Sequence, residues 1–217
     1  MPIRVKICGM TNVQDVTAAR AAGANLVGFI FAESPRKVDV ATVRKITDHL
    51  DAVEGVAVVR GLSVDEVFRL REAAFLRWVQ FHGNEPPEVV NPFAPWVLRV
   101  FDRFGPEERA LLPKFPGAAF LLDRPKAGPP ELPEGRRGDG SGQGPDTAFA
   151  EEAKKYGPVL IAGKLDPDNV ADAIRRYRPH GVDACSGLES APGKKDHGKL
   201  RAFLQAVRAV EKELGLA

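Results

Sequence analysis

Groups able to hold anions or move protons stand in and just after otherwise apolar runs of this chain. Ile3–Cys8 carries Lys6 and Cys8 between Ile3, Val5 and Ile7, and Val182–Cys185 carries Asp183 and Cys185 between Val182 and Ala184. Leu76–Phe81 contains Gln80 and leads into His82, Ala118–Asp123 closes on Asp123, and Arg60 and Arg99 close two further apolar runs. Side chains alternate along a strand, so the polar set of each run faces the opposite way from its apolar set. Taken one at a time these residues have plainer readings: a cysteine is more often inert core, a strand-end aspartate a helix cap, Arg60 a solvated charge. Their convergence points to a basic, anion-holding mouth with a thiol and a carboxyl facing each other across it.

Two glycine turns suit phosphate. Ala162-Gly163-Lys164-Leu165 and Cys185-Ser186-Gly187 follow the last two apolar runs. Glycine lets backbone N–H groups approach an anion closely, and a helix N-terminus favours negative charge. Lys164 and the Ser186 hydroxyl add a charge and a donor.

These residues need a frame that gathers strand ends. Ile3–Cys8, Leu26–Phe31, Val56–Arg60, Leu76–Phe81, Trp96–Val100, Ala118–Asp123, Val159–Ala162 and Val182–Cys185 read as strands, separated by helical stretches. Thr11-Asn12-Val13-Gln14 and Ser63-Val64-Asp65-Glu66 are capping boxes that start helices, the first running through Ala22. Val40–Leu50 reads as another helix, and a short, Pro-interrupted helical piece follows the fourth strand. In the last helix Leu200, Phe203, Leu204, Val207, Val210 and Leu214 recur at helical spacing on one face. Strands that alternate with helices imply a parallel sheet with right-handed crossovers. A doubly wound open sheet is the rival, but its G-x-G-x-x-G fingerprint is missing, since the chain after the first strand reads Cys8-Gly9-Met10-Thr11-Asn12. The expected fold is α/β, a single-domain (β/α)8 TIM barrel over residues 1–217, with its chemistry at the C-terminal strand ends. Closure makes the first and last strands neighbours, which predicts a buried Lys6–Asp183 ion pair beneath Cys8 and places Cys185 beside the phosphate turn. Arg124–Pro145, with five prolines and six glycines in 22 residues, is expected to be the sixth strand-to-helix loop on the catalytic face.

Composition narrows the class. The chain has 217 residues, 44% hydrophobic and 28% charged, with 31 basic against 29 acidic residues and a net charge of +2, so no broad nucleic-acid or membrane footprint is expected. Two cysteines far apart in sequence make neither a disulfide framework nor a zinc spacing. The start is charged and no apolar stretch approaches membrane-spanning length, which leads to the expectation of a soluble, cytoplasmic protein. Asn and Gln together number nine against 18 Pro, a balance that suits a thermophile and equally a GC-rich genome. Sequence leaves a homodimer open.

Nearly the whole chain resembles the phosphoribosylanthranilate isomerases of tryptophan biosynthesis. The resemblance rests on Lys6-Ile7-Cys8-Gly9-Met10-Thr11, on Gly28-Phe29-Ile30-Phe31 with Ser34-Pro35-Arg36, and on Val79-Gln80-Phe81-His82-Gly83. It continues through Asp123, Asp166-Pro167-Asp168-Asn169-Val170, Val182-Asp183, Ser186-Gly187-Leu188-Glu189 and Pro192-Gly193-Lys194-Lys195-Asp196. Lys164 stands where that family usually has a second glycine, and Cys185 where serine is commoner.

The resemblance implies an Amadori rearrangement of N-(5-phosphoribosyl)anthranilate to 1-(o-carboxyphenylamino)-1-deoxyribulose 5-phosphate, with no cofactor and no metal. An acid protonates the ring oxygen to open the ribose, and a base removes the C2 proton. The resemblance gives the base role to Cys8 and the acid role to Asp123, supported by Lys6 and Asp183. Arg36, or its neighbour Lys37, takes the anthranilate carboxylate. Gln80 and His82 bind substrate, and Gly163, Lys164, Ser186 and Gly187 take the phosphate. Two rivals remain at this point: a related sugar-phosphate isomerase of histidine biosynthesis, and a non-catalytic barrel that binds a phosphorylated ligand.

Overall fold

The computed structural model describes residues 1–124 and 144–216. Eight parallel strands, β1 (Arg4–Cys8), β2 (Leu26–Ile30), β3 (Glu54–Val59), β4 (Trp78–Phe81), β5 (Val97–Phe101), β6 (Ala119–Leu122), β7 (Val159–Ile161) and β8 (Gly181–Ala184), pair in chain order. β8 returns to β1, with Lys6 opposite Asp183 and Ile7 opposite Ala184, so the barrel is closed. Around it lie α1 (Val13–Ala22), α2 (Val40–Thr47), α3 (Val64–Ala73), α4 (Pro87–Val90), α5 (Pro106–Leu111), α6 (Thr147–Ala153), α7 (Val170–Tyr177) and α8 (His197–Glu213). After β8 the chain makes a 3₁₀ turn and a small antiparallel hairpin, β9 (Glu189–Ala191) with β10 (Lys194–Lys195), which the strand reading did not anticipate. Among the described residues no helix is long and apolar enough to cross a membrane.

Two apolar layers result from strand alternation. Leu26, Val56, Trp78, Leu98, Val100, Ala119, Leu121, Leu160 and Ala162 pack inside the barrel. Val5, Ile7, Val27, Val79, Phe81, Val182 and Ala184 face the helices, where they meet Leu200, Phe203, Leu204, Val207 and Val210 of α8. The opposite parity of β1, β4 and β8 therefore turns Lys6, Gln80 and Asp183 inward, all three buried. A large apolar ring can face either layer, but a lysine on β1 has one route away from the helices, and that route is the barrel axis.

Several expectations shift. Asn12 caps α1, its Oδ1 accepting from Asp15 N–H at 2.8 Å; the box beginning at Thr11 is displaced by one residue, because asparagine is the stronger cap. The Ser63 box forms as read, with Ser63 N–H donating to Glu66 Oε2 at 2.8 Å. α2 stops at Thr47, short of Leu50. Arg99 is not at the mouth. Leu98 and Val100 take the interior, so Arg99 points into the helix layer and its Nη1 donates to Gly83 O at 2.6 Å and Val100 O at 3.0 Å. Arg60 lies exposed just beyond β3. Of the Arg124–Pro145 segment, residues 125–143 lie outside the described residues, so its expected place over the catalytic face is not addressed.

Candidate active site

The floor of the mouth is the Lys6–Asp183 pair that the β1–β8 register sets up. Lys6 Nζ donates to Asp183 Oδ1 at 2.9 Å, and the two side chains are 0% and 9% exposed. Burial works against the ammonium, yet the charges of Asp183 and Cys8 outweigh it and hold the Lys6 pKa above its ordinary value. Gly28 of β2 makes room beside it: a Cβ there would lie 2.8 Å from Cys8 Sγ and 3.1 Å from Lys6 Nζ.

Cys8, one step above Lys6, is buried at 6% exposure. A hydrogen bond from the Cys185 thiol, joined by the charge of Lys6, outweighs burial and brings the Cys8 thiol down to about 7. Cys185 is driven the opposite way by the same hydrogen bond and by burial. Cys185 directly precedes the Ser186–Gly187 turn, as expected, and it is also a neighbour of Cys8. Carrying the register one residue past Ile7–Ala184 sets Cys185 directly across from Cys8.

Arg36 is brought to this side of the mouth, where it is already engaged. Its Nε and Nη2 donate to Glu189 Oε1 and Oε2 at 2.7 and 2.6 Å. Lys195 Nζ, fully buried, donates to Glu189 Oε1 and to Cys185 O, each at 3.1 Å. Although burial opposes ionisation, Arg36 and Lys195 keep the Glu189 carboxyl below the usual range. Buried Asp15 of α1 ties the hairpin down, accepting from Lys195 N–H and His197 Nε2, both at 2.8 Å. Sequence reading placed Glu189 and Lys195 in the family motifs but gave them no role; their partners become evident only when β8, β9 and β10 fold back over β1. Lys37, the other candidate cation, is exposed and pairs with Glu33.

Gln80, His82 and Asp123 meet on the far side. Gln80 Nε2 is 3.3 Å from His82 Nδ1, and His82 Nε2 is 4.0 Å from Asp123 Oδ2. Asp123 follows β6, its Oδ1 accepting from Arg124 N–H at 2.8 Å, and its side chain is one-quarter exposed. β6 lies three strands from β1 round the barrel by way of β8 and β7, so carboxyl and thiol rise from opposite arcs of one mouth.

Between those arcs the loops after β7 and β8 touch. A Cβ on Gly187 would fall 2.2 Å from Leu165 O, so only glycine allows the two backbones this close. Gly163 and Lys164 both have positive φ, +104° and +57°. Lys164 thus keeps the left-handed backbone that a glycine would adopt freely, at a strain of about 1–2 kcal/mol. Ser186 and Lys164 are exposed.

The chain matches the family model described as N-(5'phosphoribosyl)anthranilate (PRA) isomerase over residues 5–206. It is 41% identical over 217 residues to the N-(5'-phosphoribosyl)anthranilate isomerase of Deinococcus radiodurans, covering 95% of this chain and 97% of the relative. The crystal structure of phosphoribosyl anthranilate isomerase from Thermus thermophilus superposes with a TM-score of 0.79 at 34% identity, covering 96% of this chain and 100% of that one. A phosphoribosyl anthranilate isomerase in complex with reduced 1-(o-carboxyphenylamino)-1-deoxyribulose 5-phosphate gives a TM-score of 0.78 at 29% identity, covering 95% and 99%. Similarity that runs from the first strand into the last helix agrees with the motifs around Cys8, Asp123 and Asp183: the chain belongs to the N-(5'-phosphoribosyl)anthranilate isomerase family.

Proposed function

We propose that this chain isomerises N-(5'-phosphoribosyl)anthranilate with Cys8 as general base and Asp123 as general acid. The observation that carries the assignment is the position of Cys8 at the end of β1, one step above the buried Lys6–Asp183 pair and across the mouth from Asp123; the neighbouring ammonium helps to lower the thiol toward the working pH, where a base is most effective. Asp123 gives its proton to the ribose ring oxygen, and the ring opens to a protonated Schiff base. The Cys8 thiolate then takes the C2 proton. The resulting enolamine tautomerises to the ketone, and the product is 1-(o-carboxyphenylamino)-1-deoxyribulose 5-phosphate. His82, beside Asp123, and Gln80, whose Oε1 has no partner among the described residues, are assigned to the sugar hydroxyls. Loss of phosphoribosylanthranilate fluorescence on addition of the purified protein tests the reaction. No loss would favour the non-catalytic barrel, or an isomerase acting on the histidine-pathway sugar phosphate.

The phosphate is assigned to the touching loops after β7 and β8, through N–H groups near Gly163 and Gly187, the Ser186 hydroxyl and the Lys164 ammonium. A crystal soaked with inorganic phosphate should hold it between those loops; phosphate seated elsewhere removes the assignment. Arg36 is assigned to the anthranilate carboxylate. Since Glu189 takes its Nε–Nη2 edge, the end-on Nη1–Nη2 edge is the one offered to substrate. Arg36→Met is expected to raise KM at least about tenfold, the loss of one charged hydrogen bond of about 1.5–3 kcal/mol, with a smaller change in kcat. An unchanged KM in steady-state kinetics would shift the carboxylate to another cation, Lys37 first.

A further inference from the structure

Arg36 stands on the loop between β2 and α2, where a long arginine stem with many rotamers has no local reason to keep one direction. Two features of the fold fix it. Its stem lies across the turn after Cys8, since a Cβ on Gly9 would be 2.8 Å from Arg36 Cδ. Its guanidinium meets Glu189 in a two-pronged pair, Nε to Oε1 at 2.7 Å and Nη2 to Oε2 at 2.6 Å. The two side chains are 19% and 5% exposed, so this is not the loosely held pair that surface charges make.

Glu189 is in turn held from its other side. Lys195 Nζ, fully buried, donates to Glu189 Oε1 at 3.1 Å, and Gly193 N–H donates to the same oxygen at 3.3 Å. Lys195 is itself tied down, its ammonium donating to Cys185 O and its backbone N–H to Asp15 Oδ2. The hairpin of β9 and β10 thus presents a carboxylate whose position is settled before substrate arrives. Arg36, Lys195 and Glu189 together carry two positive charges and one negative. The charge left over is the one that a single substrate carboxylate completes.

We infer that Glu189 is a positioning residue: braced by Lys195, it holds the Arg36 guanidinium beside Gly9 with its free edge toward the substrate carboxylate. The inference rests on Arg36 being the carboxylate ligand. Ordering one long side chain on binding weakens affinity by about three- to tenfold. With Glu189 in place that order exists in the free protein, so substrate meets a guanidinium already aimed. Glu189 touches no reacting atom, and its effect falls on KM rather than on kcat. The plainer role for it is to neutralise the buried Lys195 ammonium, and experiment separates the two.

The test combines steady-state kinetics on phosphoribosylanthranilate, urea unfolding, and the NMR signal of the Arg36 Nε–H group, identified by its loss in Arg36→Met. Glu189→Gln keeps the shape but has one acceptor oxygen where the carboxylate has two. It should raise KM about three- to tenfold with kcat within about twofold, and the Arg36 Nε–H signal should shift and exchange faster with water. Glu189→Gln combined with Lys195→Met removes the buried ammonium together with the carboxylate charge. That double variant should regain the stability lost in Glu189→Gln, while KM stays raised and the Nε–H signal stays displaced. In an Arg36→Met background Glu189→Gln should add nothing further to KM, as expected of residues that act through one contact. Recovery of KM along with stability in the double variant, or an unmoved Nε–H signal in Glu189→Gln, overturns the inference. A raised KM in Arg36→Met beside an unchanged KM in Glu189→Gln removes the inference alone. An unchanged KM in Arg36→Met removes the carboxylate reading, and the inference with it.

Discussion

Cys8→Ala is expected to lower kcat by at least about 10²-fold, and Asp123→Asn to do the same, the usual scale for one positioned acid or base. Neither side chain is assigned to hold substrate, so KM should stay within a few-fold of its starting value. Alanine removes one sulfur from a nearly closed site, and the Lys6–Asp183 pair below it remains intact, so the fold should survive. Asparagine preserves the shape of Asp123 and can still accept from Arg124 N–H, as the aspartate does at 2.8 Å, but it has no proton of the required acidity to give. The two losses should combine to less than their product if each step limits the rate in turn. Steady-state kinetics on phosphoribosylanthranilate, with circular dichroism to show an unchanged fold, are sufficient. Activity retained in either variant would take that residue out of its role.

Lys6→Ala and Asp183→Ala should each destabilise the protein by about 3–5 kcal/mol, because each leaves a buried charge without its partner. The geometry is the reason for placing this among the largest effects: a 2.9 Å contact between side chains 0% and 9% exposed, inside a barrel whose other interior side chains are largely apolar. Replacing both together, as Lys6→Met with Asp183→Asn, removes the charges as a pair and should recover most of that stability. Activity should not return with it, since the ammonium that favours the Cys8 thiolate is gone. The Lys6 pKa is raised in the fold. Its contribution is therefore full below the unfolded value of about 10.4 and fades as pH climbs past it. Urea unfolding of the three variants at neutral pH gives the comparison; a double variant no more stable than the singles would mean the pair is held by something other than charge.

Much of the site was legible wherever strand alternation is clean. In Ile3–Cys8 and Val182–Cys185 every second residue is apolar, so the inward set could be named, and closure of the barrel made Lys6 and Asp183 neighbours. The same register, carried one pair further, also sets Cys185 against Cys8, a neighbour that its place beside the glycine turn does not by itself reveal. Arg99 was misplaced because Val97, Leu98, Val100 and Phe101 are apolar on both faces, which hides the parity. Glu189 and Lys195 lay in recognised motifs, yet what they bind depends on a hairpin that folds back over β1. Arg36 and Glu189 are far apart in sequence, and no local pattern shows that one occupies the other.

The acidic limb of kcat/KM is the most direct test of Cys8 as the base, because that ratio reports ionisations of the free enzyme. The thiolate is the working form, so on the acid side activity should rise with pH through a midpoint at about 7, falling about tenfold per unit well below it, and the profile should turn down at higher pH where Asp123 no longer carries the proton it must give. The limb should move to higher pH in Lys6→Met, where the cation beneath Cys8 is lost. A profile flat from about pH 6 to 8, or a limb that keeps its place when Lys6 is replaced by methionine, would contradict a thiolate base at the end of β1.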